Sequence, residues 1–189
     1  MEAMTNLNAF SAPAESSQQL DFESMALTEL VDHIEATHHA YVKSELEPLG
    51  QLVDKVARVH GEAFPWMVDV RRLTFALFAE ISAHLQKEER VLFPMIRELD
   101  TATSMPQFHC GGVDAPISVM EMEHDNAGEV LTQLRELTSG YAVPEGGCNS
   151  FRAMMNRLEA FEYDLYRHID KENRLLHPKA LAAFAGLES

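Results

Sequence analysis

The sequence predicts an all-α protein, an up-down-up-down four-helix bundle. Four long stretches carry apolar residues at 3–4 spacing, separated by Gly- and Pro-bearing connections. No stretch shows the alternation of a half-buried strand. One eleven-residue segment is also written twice, as His84-Leu-Gln-Lys-Glu-Glu-Arg-Val-Leu-Phe-Pro94 and as His168-Ile-Asp-Lys-Glu-Asn-Arg-Leu-Leu-His-Pro178. Each copy carries a His followed four residues later by a Glu, and the rest of the chain reads as supplying partners and walls for these two segments.

Residues 1–24 are rich in Ala, Ser, Gln and Glu without a period, and read as a disordered or loosely docked tail in which Phe10 is the one apolar spot. Residues 25–189 read as the bundle. The first helix runs from about Leu27 to His60, with His39, Val42, Leu46, Leu49, Val53 and Val56 in one stripe, and Pro48 predicts a kink or local break. A turn follows from Gly61 to Pro65. The second helix spans about Val68 to Leu99, its stripe Leu77, Ile81, His84, Glu88, Val91 and Met95, with a bend expected near Pro94. Residues 100–115 form a loop containing His109 and Cys110. The third helix runs from about Pro116 to Thr138 with Ile117, Met120, His124, Ala127, Leu131 and Leu134 in its stripe. After a turn from Gly140 to Gly147, the fourth spans about Asn149 to Phe184, striped by Met154, Leu158, Phe161, Leu165, His168, Glu172 and Leu175.

Bulk composition narrows the function. The chain has 189 residues, 46% hydrophobic and 24% charged, as in an ordinary globular domain. A net charge of −15 and a sequence pI near 4.9 argue against binding to nucleic acid or to anionic membranes. No apolar run approaches the ~20 residues of a membrane span, and no secretory signal pattern opens the chain. Two cysteines, Cys110 and Cys148, make no disulfide framework, so a cytoplasmic location is expected and no bond between the two.

Six polar residues interrupt the apolar stripes: His39, His84, Glu88, His124, His168 and Glu172. Counting residues from the turns at ~1.5 Å rise each puts the paired histidines within roughly 8 Å in height. In each repeat copy the Glu follows the His by four residues and so shares its helix face. Buried carboxylates cost several kcal/mol each unless they are paired or bind metal. Six donors exceed one tetrahedral zinc, but serve two metals that share both carboxylates. The expected cofactor is two non-haem iron ions with an oxo or hydroxo bridge and an open position for a small ligand; the donor set alone also admits manganese or zinc. Glu35 and Glu80, each four residues before a histidine of the set, are candidates to accept a hydrogen bond from a ligand imidazole. His109 and Cys110 are candidates to line an entrance. Tyr41 and Tyr166 read as packing.

These segments resemble the hemerythrin-like family of non-haem di-iron bundles, and within it the bacterial repair-of-iron-centres proteins. The residues that carry the resemblance are Leu30-Val-Asp-His-Ile34 with His39, His84 to Ile96, Pro116-Ile-Ser-Val-Met-Glu-Met-Glu-His-Asp125 with Ala127-Gly-Glu129, and His168 to Pro178. By position the resemblance implies His39, His84, His124 and His168 as terminal ligands and Glu88 and Glu172 as bridges, with His38 the near competitor of His39. Two departures stand out. Family members often begin with a small domain carrying a Cys-Cys pair, and the tail has no cysteine. Phe93-Pro94 also becomes His177-Pro178 in the second copy, read first as a packing change and second as an added metal ligand.

The function expected from the resemblance is binding of nitric oxide or O2 in nitrosative and oxidative stress defence, by scavenging or by iron–sulfur cluster repair, with iron–sulfur proteins or an electron donor as partners. Reduction of nitric oxide or peroxide is an alternative. It needs an external electron donor, because the sequence holds no flavin or haem motif. An iron donor or store is another.

Overall fold

The computed structural model describes residues 21–109 and 111–187. The expected tail up to residue 20, Phe10 within it, and Cys110 lie outside the described residues. Within them the chain forms four helical rods and no strand. The first, α1, comprises Leu27–Ile34, a π-helical turn at Glu35–His39, and Ala40–His60. The second, α2, comprises Met67–Lys87, a π turn at Glu88–Leu92, and Phe93–Thr101. The third, α3, is the uninterrupted helix Asp114–Leu137. The fourth, α4, comprises Asn149–Lys171, a π turn at Glu172–Leu176, and His177–Leu187.

The buried apolar residues fall into two clusters, and their order along each rod fixes the topology. On α1 the chain passes from Leu30, Val31 and Ile34 in one cluster to Val42, Leu49 and Val53 in the other. On α2 it passes back, from Leu77 and Ile81 to Leu92 and Ile96. On α3 it runs from Ile117 and Met120 to Leu131 and Leu134, and on α4 from Leu158 and Leu165 to Leu176 and Ala180. Direction therefore alternates from rod to rod, as in the expected up-down-up-down bundle. The polar positions of all four stripes lie between the two clusters. No helix among the described residues is long and apolar enough to cross a membrane.

Pro48 does not interrupt its helix: Ala40–His60 is helical on both sides of it. The departures from α geometry come instead at the three π turns. Pro94 and Pro178 are the second residues after two of them. A proline lacks an N–H and its ring collides with the carbonyl four residues back, here those of Arg90 and Arg174 inside the wider π turns. The wider turn also changes which residues face inward. After Glu88 the buried positions are Leu92 and Phe93 while Val91 is exposed, and after Glu172 they are Leu176 and His177. A regular helix would have buried positions three and four on, which is why Val91 belongs to the expected stripe but not to the core.

The bundle end beside these turns is tied together. The Leu27 and Thr28 backbone N–H groups donate to the two carboxylate oxygens of Asp100 at 3.2 Å each, so the end of α2 caps the start of α1. The last residues of the expected tail dock here too, with Phe22 packed on the cluster and its ring 4.8 Å from that of His33.

Candidate metal centre

The six stripe residues meet in the layer between the two apolar clusters, and all are buried. They form two groups that could hold a metal ion: His39, Glu88, His168 and Glu172, and His84, Glu88, His124 and Glu172. His39 Nε2 and His168 Nε2 are 3.2 Å apart, and His84 Nε2 and His124 Nε2 are 3.1 Å apart. Each carboxylate serves both groups. Glu88 turns Oε2 to His39 at 3.4 Å and Oε1 to His84 at 3.2 Å. Glu172 turns Oε1 to His168 at 3.0 Å and Oε2 to His124 at 3.1 Å.

The donors fit a metal better than they fit one another. Glu88 and Glu172 are 0% exposed, and among the described residues none of their four carboxylate oxygens has a hydrogen-bond partner. Leaving such groups unsatisfied is costly. Metal bonds of ~2.1 Å at right angles place neighbouring donors about 3 Å apart, the spacing found here. Burial and the adjacent Glu172 oppose ionisation of Glu88, but His39 and His84 outweigh them and lower its pKa. Burial likewise opposes ionisation of Glu172, and His168 and His124 hold its carboxyl well below the usual range. Without metal the complementary proton sits on imidazole. Against the opposing effect of burial, Glu88 and Glu123 raise the His84 pKa to about 9, and Glu88 and Glu172 raise that of His39.

The outer nitrogens of the imidazoles are held from neighbouring helices. His39 Nδ1 donates to Glu89 Oε1 at 2.8 Å, and Lys43 meets the same oxygen. His84 Nδ1 donates to Glu123 Oε2 at 2.9 Å, and Lys87 pairs with the other oxygen. His124 Nδ1 donates to Asn173 Oδ1 at 2.9 Å. His168 Nδ1 has no hydrogen-bond partner among the described residues; its ring stacks on His38 at 5.7 Å. Glu35 and Glu80 do not have the role expected of them. Glu35 pairs with Arg97 at 2.6 Å and Glu80 is exposed. The carboxylates that meet the imidazoles come from the next rod, a relation that spacing within one helix does not reveal. A usable signal lay in the repeat, because Glu89 and Asn173 are the residues that follow Glu88 and Glu172 in the two copies.

The neighbours separate His39 from His38. The π turn brings both inward, but His38 binds Asp164 at 2.9 Å and Lys171 at 2.9 Å and stays out of the six-residue set. His177 is 0% exposed with its ring parallel to that of His124, 6.0 Å away. Burial lowers its pKa, so the ring is neutral near pH 7. His109 is exposed on its loop. Tyr41 is partly buried and packs on the apolar core, while Tyr166 is largely exposed. At the opposite end of the bundle Cys148 Sγ lies 3.2 Å from His60 Nε2. The backbone N–H of Phe151 and then His60 push this thiol down to about 7.

A twofold relation organises the centre. Exchanging the α1–α2 pair with the α3–α4 pair swaps His39 with His124, His84 with His168, and Glu88 with Glu172. It also swaps Glu89 with Asn173 and Phe93 with His177. Phe93 stacks on His39 at 5.3 Å as His177 stacks on His124.

Comparison with known proteins agrees with this architecture. The iron-sulfur cluster repair protein YtfE of Pectobacterium carotovorum subsp. carotovorum is 37% identical over 168 residues, covering 89% of this chain and 72% of the relative. The protein of the same name from Escherichia coli O157:H7 is 36% identical over 169 residues, 89% of this chain and 73% of its own. Residues 24–180 match the hemerythrin HHE cation binding domain, a span that takes in the first three rods and the fourth as far as Ala180, and the chain belongs to that family.

Proposed function

We propose that this chain holds two irons within its bundle and binds nitric oxide or O2 in defence against nitrosative and oxidative stress, in the service of iron–sulfur cluster repair. The observation that supports a paired site is the division of each carboxylate, one oxygen to each pair of imidazoles. In this reading His39 and His168 hold one iron, His84 and His124 the other, and Glu88 and Glu172 bridge them. The solvent-derived bridge expected from the sequence belongs to the same proposal. The repair role is supported by the names of the relatives, and it implies iron–sulfur proteins as targets and an electron donor as partner.

When bound, an iron pair supplies two adjacent redox-active centres at which a small diatomic can coordinate. The chain's residues prepare that event. Glu89, Glu123 and Asn173 accept the Nδ1 protons, which leaves each of those Nε2 atoms as a lone pair aimed at the centre. The apolar clusters on either side exclude bulk water.

The test is iron counting followed by anaerobic reduction and nitric oxide titration, monitored by absorption. Two irons per chain and a reversible nitrosyl band are expected. Multiple turnovers indicate a reductase, and loss of iron to an apo acceptor indicates an iron donor. Glu88→Ala and Glu172→Ala should each lower iron content well below two per chain; full occupancy in both variants refutes the bridging assignment.

A further inference from the structure

We propose that His177 donates a hydrogen bond to a small exogenous ligand on the metal held by His84 and His124, which makes the two metal positions unequal. The inference rests on the dinuclear centre proposed above. His177 is 0% exposed and neither ring nitrogen has a hydrogen-bond partner among the described residues. The nearest acidic atom, Glu121 Oε1, is 3.7 Å from Nδ1, too far to accept a hydrogen bond. An imidazole buried in this way costs stability that a phenyl ring of similar size does not. The first repeat copy has that phenyl ring, Phe93, stacked on His39 in the equivalent place. The second copy keeps the stack, on His124, and adds an N–H that no group among the described residues uses. His177 belongs to neither four-donor group, so the unused N–H is not explained by metal coordination. Its ring lies parallel to that of His124, whose Nε2 meets His84 Nε2 in the second four-donor group. A hydrogen-bond acceptor bound at the metal of that group completes the arrangement: a small anion or a polar diatomic. At the His39–His168 metal the corresponding wall is apolar.

Azide on the oxidised, iron-loaded full chain is the probe, because it reports on an open iron position whether or not nitric oxide is the physiological ligand. His177→Phe should keep two irons per chain and weaken azide binding about tenfold, the loss of roughly one hydrogen bond. The azide stretching band should shift and lose its sensitivity to D2O. His177→Gln, which restores an N–H donor, should recover part of the affinity. The metal-free His177→Phe protein should melt higher than the metal-free parent by about 3 °C or more, since two unsatisfied polar atoms are removed. Unchanged azide affinity and stretching band in His177→Phe would overturn the inference. Iron lost from that variant would overturn it as well, by making His177 a ligand. Fewer than two irons in the parent chain would remove the centre itself, a failure that iron counting distinguishes from the other two.

Discussion

What an imidazole of the six-residue set offers at its inner nitrogen is set by what its outer nitrogen touches. Glu89 and Glu123 each take the Nδ1 proton of a histidine and are themselves paired with a lysine, Lys43 and Lys87. Although burial opposes it, these partners lower both carboxyl pKa values, so both stay ionised. Glu89→Gln and Glu123→Gln should each weaken iron binding by about 10–100-fold in chelator competition. Glu35→Gln and Glu80→Gln should leave it within error, because neither carboxylate reaches an imidazole. The six polar stripe residues were legible in the sequence because buried charge out of period is conspicuous. Their supporting carboxylates were not. Glu89 and Glu123 sit on the partially exposed rims of their helices and act across a helix boundary, where single-helix periodicity carries no information.

At the scale of the helix, all four rods were readable from apolar spacing and turn residues, to within a residue or two at most ends. The π turns were not, although each repeat copy places one directly before its Phe-Pro or His-Pro pair. Their effect is to bury positions four and five after Glu88 and Glu172 in place of three and four, which carries Phe93 and His177 inward against His39 and His124 and turns Val91 out. Pro48 shows the complementary case: of the kink or local break expected there, the break does not occur, and the helix Ala40–His60 runs through it. The cap that Asp100 supplies to α1 was also invisible, because donor and acceptor are more than seventy residues apart. Asp100→Ala should lower unfolding stability by about 1 kcal/mol, read as a reduced urea midpoint with unchanged slope.

Taken whole, the molecule has two oily cores with a layer of charge between them, and that layer couples stability to pH and to metal. In the metal-free chain the His84 pKa is raised from the ordinary 6.5 to about 9. The proton it retains stabilises the fold fully below pH 6.5, and this contribution is lost as pH rises through 9; His39 has the same sign. Glu88 and Glu172 act the other way, but only below the ordinary carboxylate range. The melting temperature of the chelator-treated protein should therefore fall between pH 6.5 and 9. Metal binding at the proposed centre must displace these protons, so the gap between loaded and stripped protein should widen over the same interval. A flat profile for the stripped protein would contradict the arrangement of imidazoles around the two carboxylates.

The twofold exchange that relates the halves of the centre also has a consequence for how the protein can vary. Because Phe93 stacks on His39 and His177 on His124, a substitution at either touches a single imidazole of the six-residue set directly and not its counterpart in the other half. One half can be tuned for chemistry while the other keeps its grip, so specialisation does not have to begin by loosening the whole assembly.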